Sequence, residues 1–436
     1  MSKRVVIMGA AGRDFHVFNC CYRGNSDVTV VAFTATQIPY IDDRRYPPAL
    51  CGSGYPDGIP IVPEEGLAGL VEREKVDEVV FAYSDVHNDY VAERRQTVES
   101  AGAVFSVFDV DATMLQSSKP VIAVTATRTG CGKSQTSRRI TEMLIGMGKR
   151  AVAIRHPMPY GDLVRQSVQR FASMSDLDIH DCTIEEREEY EPHIRTGVVV
   201  YAGVDYAAIL ERAQEEADVI VWDGGNNDTP FFKPDLWIAV TDPHRPGHEL
   251  EYFPGRENFE RADVIVINKI DSAEEDGIAA IEANAAKLNP DATLVRAASP
   301  LDVPDREAIQ GKRVLVVEDG PTTTHGGMAY GAGTVAAKLY EAAELVDPRK
   351  WLTGELVDTF EKYPSIGPLL PAMGYGDQQI TDLETTIRAA DCDLVLIATP
   401  IDLTRLIDID KPHMRVSYRL AEEGDALSAA VAKAAG

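Results

Sequence analysis

Residues 127–134 read TRTGCGKS, and no other stretch carries as much chemistry. An apolar run, Val121-Ile122-Ala123-Val124, leads into it, and a helix-compatible segment from Gln135 to Met147 follows. A strand, a glycine-bearing turn, Gly-Lys-Ser and a helix form the arrangement that wraps backbone N–H groups around a polyphosphate. The expected nucleotide contacts come from Thr129, Gly130, Cys131, Gly132, Lys133, Ser134 and Gln135. Lys133 would meet the β- and γ-phosphates, and the Ser134 hydroxyl would take one position on Mg²⁺. Thr127 stands where the common pattern has its first glycine. Arg128 beside it can supply charge to a phosphoryl transfer, in cis or in trans. Cys131 has two readings: a thiol activated by the helix N-terminus, or a small residue filling a variable loop position.

Further candidates follow the ends of apolar runs, where open α/β sheets place their ligands. DVIVWDGGNND (Asp218–Asp228) carries the chain to Asp223, a catalytic and Mg²⁺ carboxylate acting directly or through water. Asn226, Asn227 and Asp228 come next, as hydrogen-bonding groups near the transferred phosphoryl. Asn268-Lys269-Ile270-Asp271 matches NKxD, the base-recognition element of GTPases, with Ala297-Ala298-Ser299 expected across the base. Both ATP and GTP remain open. Arg155 and His156 are candidate ligands of an anionic acceptor, and Asp162 a base or metal ligand, although the prolines and Gly161 between them also suffice for a turn. His244, Arg245 and His248 lie just beyond a strand end and would face the same cleft. The run GPTTTHGGMAYGAG (Gly320–Gly333) can present Thr323, Thr324, His325 and Gly326 to an anion. By contrast, IEEREEYE (Ile184–Glu191) reads as a solvated helix face.

The elements that must position these residues alternate strand and helix, which predicts an α/β protein with mostly parallel sheets. Strands are expected at Val5–Met8, Val28–Phe33, Glu78–Ala82 and Ala103–Val107 in an N-terminal Rossmann-like domain (1–116). The turn GAAGRDF lacks the third glycine of a dinucleotide fingerprint, so Arg13, Asp14 and His16 are its candidate polar contributors to a shared site. A P-loop NTPase domain (120–305) takes Val121–Val124, Ala151–Arg155, Val198–Tyr201, Val219–Trp222, Trp237–Val240, Val264–Ile267 and Thr293–Arg296. Residues 306–436 form a C-terminal α/β region, either separate or continuous with the second sheet.

A formal net charge of −26 argues against nucleic acid and anionic membranes as partners. Arginine outnumbers lysine, which fits either a salt-loaded, halophilic-type cytoplasm or a merely acidic protein. No apolar run approaches the roughly 20 residues of a membrane span, and the first residues lack a signal-peptide pattern, so a cytoplasmic protein is expected. The six cysteines form no CxxC pair, which removes zinc-ribbon and disulfide-framework readings.

The loop as a whole resembles the variant phosphate loops of dethiobiotin synthetases, nitrogenase iron proteins and metallochaperones. In dimers of that class a basic residue at the place of Arg128 reaches the partner's nucleotide, which implies a homodimer or higher homo-oligomer. TRTGCGKS, RHPMPYGDL, CTIEEREEYEPHI, DVIVWDGGNND, the run at 243–249, INKID and EDGPTTTHGGMAYGAG together resemble the archaeal cyclic 2,3-diphosphoglycerate synthetases and the predicted GTPases related to them. The opening GAAGRDF is that of the predicted-GTPase branch. The resemblance implies Mg²⁺-dependent phosphoryl transfer from ATP or GTP to a small phosphorylated or carboxylated metabolite, as in a ligase or phosphotransferase. A regulatory or chaperone-type GTPase is the alternative, although the Cys/His cluster of a metallochaperone is missing.

Overall fold

Among the described residues three large sheets, each with helices packed against it, and two two-stranded ones make up the architecture. The computed structural model describes residues 2–36, 41, 44–324, 326–373 and 377–436, the side chains of 226 and 377 excepted. The first sheet runs in the order Arg45–Tyr46, Ile59–Pro63, Val28–Ala35, Lys3–Met8, Glu78–Phe81, Val104–Val107. All but the two-residue edge strand are parallel. Val5 to Met8 are fully buried, as a parallel strand covered on both faces requires. Three adjacent strands stop at Met8, Ala35 and Phe81, so the turns after them share one edge.

The second sheet has nine strands, and its inner members are parallel. They run in the order Val199–Ala202, Ala151–Arg155, Val219–Asp223, Val121–Ala126, Leu236–Thr241, Val264–Ile267, Thr293–Ala298. Val121–Ala126 is central, with the Asp223 strand beside it in a register that sets Asp223 opposite Val124. The phosphate loop and Asp223 therefore emerge side by side.

In the third sheet Arg313–Asp319 pairs in parallel with Glu344–Leu345 and Leu370–Ala372 on one side and Leu394–Ala398 on the other. The chain then returns to the second sheet. Ala421–Glu422 pairs antiparallel with Ala297–Ala298. The helix Ala426–Ala435 buries Leu427 and Val431 in the same core as Ile140 and Leu144 of the phosphate-loop helix Lys133–Gly146. Residues 306–436 thus supply both a sheet of their own and the last pieces of the middle one.

The acidic helix corrects a sequence expectation. Ile184–Arg195 is not a solvated face, because Glu185, Glu186, Glu188 and Glu191 are all buried. Distant partners make that burial tolerable. Glu186 accepts the backbone N–H of Met158 at 2.8 Å and of Thr183 at 2.9 Å. Glu188 shares a hydrogen bond with Asp319 of the third sheet, and Glu191 pairs with Arg195. Among the described residues no helix is long and apolar enough to cross a membrane.

Glu318 gives the fold a pH signature. It is buried and accepts N–H groups of Gly331 at 3.1 Å, Gly333 at 3.3 Å and Thr334 at 2.8 Å, where the helix Ala332–Leu339 begins. Burial nonetheless pushes its carboxyl up to about 7, so the folded chain favours the protonated form. Its contribution to stability is complete below the ordinary carboxylate pKa of 4.5 and is lost as pH rises toward 7. Glu318→Gln removes that loss. The Tm of the variant relative to wild type should climb between pH 4.5 and 7 and level off above; a gap independent of pH would contradict this account.

Candidate functional site

Gly130 and Gly132 adopt φ of 83° and 107°, the region that favours glycine. At Gly132 space forbids a side chain as well, since a Cβ would come within 2.1 Å of the Asn268 amide nitrogen. The loop is braced from several sides. Asn268 Nδ2 donates to the Cys131 carbonyl at 2.8 Å, and Lys269 Nζ to the Gly130 carbonyl at 2.6 Å. Arg245 donates to the carbonyls of Thr129 at 2.9 Å and Gly326 at 3.1 Å. Asp242 binds both cations, at 2.8 Å from Lys269 and 3.0 Å from Arg245. Of the NKxD element, Asn268 and Lys269 therefore hold the loop. Asp271 instead accepts the Ser299 N–H at 2.9 Å, and the Ser299 hydroxyl donates to Gln135 at 3.1 Å. Cys131 is buried, which pushes its thiol up. That disposes of the activated-thiol reading.

Asp223 is the electrostatic centre. It is fully buried at the end of its strand, and Lys133 Nζ lies 2.6 Å from its Oδ1. Arg155 and, at 3.3 Å, His193 approach Oδ2. Burial by itself would raise the carboxyl, but the charges of Arg155 and Lys133 and the bond from His193 hold it well below the usual carboxylate range. Arg155 turns its remaining edge to Glu189, with Nε 3.1 Å from the carboxylate. The guanidinium expected to bind an acceptor anion is thus engaged by two acids. Glu189 and His193 were not candidates from the sequence, because an acidic helical run carries no sign of which strand end it will meet.

The first sheet contributes Asp85, also missed. Its carboxylate lies 2.5 Å from Arg128 and accepts the Thr129 hydroxyl at 2.6 Å, while Tyr252 stacks 4.1 Å from the Arg128 guanidinium. Asn227 donates to the same Thr129 hydroxyl at 3.2 Å. Ser134, half-buried, opens the helix beside Lys133.

The other acceptor candidates scatter. His156 faces the cluster, 3.6 Å from Asp228; burial, then Arg13 and Arg155, keep it neutral. His248 packs on Tyr252 and is lowered by burial and Arg245, whereas His244 bonds the Ser272 hydroxyl at 2.9 Å. Asp162 is exposed and caps its own turn through the Val164 N–H at 2.9 Å, away from Asp223. Thr323 and Thr324 turn their hydroxyls back onto the Gly320 carbonyl at 3.2 and 2.8 Å, closing the turn Gly320–Thr323 instead of presenting donors to an anion. His16 stacks on Phe231 at 4.2 Å and bonds the Thr113 carbonyl at 2.6 Å, with burial lowering it to about 3, so it is a packing residue. The Asn226 side chain and His325 lie outside the described residues.

No family model matches the chain. It is 59% identical over 422 residues to the arginine synthetase ArcE of Thermococcus kodakarensis, a match covering 97% of this chain and 94% of that protein. Among solved structures it is similar to the "apo" form of LpxK from Aquifex aeolicus in complex with ATP, at 13% identity and a TM-score of 0.44, over 80% of this chain and 96% of that one. It is also similar to cobyrinic acid a,c-diamide synthase from Mycobacterium smegmatis with bound ATP analogue and magnesium, at 16% identity and a TM-score of 0.19, over 41% and 71% of the two chains.

Two substitutions separate the roles of the central pair. Lys133→Ala should fold normally and lose at least about 10²-fold in nucleotide turnover, since a preorganised cation at the transferring phosphoryl is removed. Asp223→Asn leaves Lys133 and Arg155 buried without their anion and should cost about 3–5 kcal/mol in denaturant unfolding. Wild-type stability in Asp223→Asn would show that Glu189 alone neutralises the cluster.

Proposed function

The chain belongs to the family of the arginine synthetase ArcE of Thermococcus kodakarensis; from that premise we infer that it is an ATP-using, Mg²⁺-dependent P-loop synthetase that phosphorylates an oxygen of a small, carboxylate-bearing metabolite. A nitrogen nucleophile then displaces the phosphate, building a carbon–nitrogen bond of the kind arginine contains. The observation that carries this reading is the 59% identity, which spans nearly the whole of both chains. Arginine-type chemistry narrows the small phosphorylated or carboxylated metabolite that the motif resemblance implied to a carboxylated one.

The site suits the first half of such a reaction. Lys133 stands at the start of the loop helix, where a γ-phosphate would be met, and among the described residues it is ion-paired with Asp223. An arriving nucleotide would share Lys133 with that carboxylate. Arg155 and His193 would keep Asp223 ionised as the lysine shifts toward phosphate. Arg128 stays near the loop through Asp85 and can add charge stabilisation on the nucleotide side.

A magnesium ion fits these residues if the nucleotide supplies most of its ligands. Among the described residues no group of three or more His, Cys, Asp or Glu could hold a metal alone. That is the situation of Mg²⁺ bound through one or two protein groups and substrate phosphates. The Ser134 hydroxyl and Asp223 would hold it, and the ion would neutralise charge on the phosphates. The base would lie by Asp271 and Ser299, which are already joined.

Product analysis tests the reading. L-arginine with ADP, phosphate and Mg²⁺ should form ATP one-to-one with the arginine consumed. ATP with Mg²⁺, ammonium and the ureido counterpart of arginine, which has oxygen in place of the terminal nitrogen, should form ADP, phosphate and arginine in the same ratio. ATP hydrolysis at the same rate with and without amino acids would instead favour the regulatory nucleotidase. Asp271→Asn should leave the KM for ATP essentially unchanged while weakening any binding of GTP, because only guanine offers that carboxylate paired N–H donors.

A further inference from the structure

A second cavity backs onto the phosphate loop, and the chemistry above does not use it. It lies where the first sheet's strand ends meet the loop after Asp223. Asp14, Tyr83 and Ser84 line it from the first sheet, His156 and Asp228 from the second. It shares its wall with the nucleotide site through two pairs of consecutive residues. Asp85 and Asn227 bond Thr129 of the phosphate loop, while their neighbours Ser84 and Asp228 face the cavity.

Its charges are not balanced. Arg13 lines the cavity too and is, among the described residues there, the one guanidinium set against two carboxylates; its terminal nitrogens donate to the Thr229 hydroxyl at 2.8 Å and the Thr113 hydroxyl at 3.2 Å, and it lies against the rings of Phe231 and Phe108. Its Nε comes only within 3.7 Å of Asp228 Oδ1, beyond hydrogen-bond reach. That oxygen is buried without a hydrogen-bond partner, in a side chain only 3% exposed. His156, the other nearby base, is neutral. Asp14 Oδ1 accepts the N–H groups of Ala11 and Phe15, both at 2.7 Å, which fixes the carboxylate in the wall. Two fixed acids thus share one fixed guanidinium, among the described residues the lining offers no second charged cation, and burial pushes Asp14 up to about 7 and Asp228 up to about 6. A bound ammonium group would meet the unpaired oxygen and the surplus charge together.

We propose that this cavity is the subsite for the α-ammonium group of the amino-acid substrate, with Asp228 and Asp14 as its ligands. The assignment rests on the synthetase reading above, in which the reacting end of the amino acid faces the phosphate loop. The opposite end then falls behind Asn227, on the Asp228 side of the shared wall.

Calorimetric titration in the presence of ADP and Mg²⁺ tests this with two probes, L-arginine and 5-guanidinopentanoate, which lacks only the α-ammonium group. Wild type should bind arginine at least about tenfold more tightly, the effect of one hydrogen-bonded charge. Asp228→Asn should abolish that preference by weakening arginine alone, with ADP affinity unchanged. Asp14→Asn, which keeps an oxygen for the two backbone N–H groups, should act in the same direction and carries the test if Asp228→Asn does not melt cooperatively. Retention of the wild-type preference in a folded variant overturns the subsite but leaves the synthetase reading standing. Equal binding of the two probes by wild type does the same. If wild type binds ADP and neither probe, the arginine-type reading itself falls, and the subsite with it.

Discussion

A carboxylate without access to water must be neutralised where it sits, and the arrangement of this protein follows from doing so at Asp223. One buried acid draws Lys133 from the phosphate-loop helix, Arg155 from a strand end and His193 from the acidic helix. Two cations overcompensate a single charge, burial favouring the neutral form of His193, and Glu189 takes up part of the surplus through Arg155. The alternation Lys133, Asp223, Arg155, Glu189 fixes four segments relative to one another. Of the acidic helix Ile184–Arg195, Glu189 and His193 join this network, whereas burial pushes Glu186 up to about 7 and Glu188 well up, toward the neutral form in which a carboxyl is packed inside at lower cost.

The same economy governs the loop's outer supports. Asp242 holds Lys269 and Arg245 against loop carbonyls, and Asp85 holds Arg128 and Thr129 from the first sheet. In a body of net charge −26 almost every cation near the site already has an acid beside it. Anion binding here is therefore an exchange of partners. An incoming phosphate would compete with a fixed carboxylate, which would lower affinity for stray anions and reward a ligand that brings several negative oxygens and a divalent ion together.

The parallel strands were legible because strands covered on both faces read as unbroken apolar runs; Val264–Ile267 and Ala151–Arg155 appear with the expected limits. Ile59–Pro63 was not, since its prolines read as loop, yet it lies beside Val28–Ala35 in parallel register. The phosphate loop and Asp223 were legible from local order, strand then turn then helix. Asp85, Glu189 and His193 were not, because their role depends on which distant strand end they meet. The sequence also points to donors that the fold uses differently: Arg245 and Lys269 brace carbonyls, and Thr323 and Thr324 close their own turn. Residue type announces hydrogen-bonding capacity, and tertiary packing decides who receives it.

The return of residues 421–435 to the second sheet has a consequence for biosynthesis. The strand Thr293–Ala298 is made about 120 residues before its partner Ala421–Glu422 and before the helix that covers the loop helix. At typical elongation rates that interval is on the order of ten seconds. Throughout it the apolar face of Ile140 and Leu144 lacks its cover while the third sheet is still emerging. Completion of this core is thus timed by translation, since the whole third sheet is synthesised before the segment that seals the second.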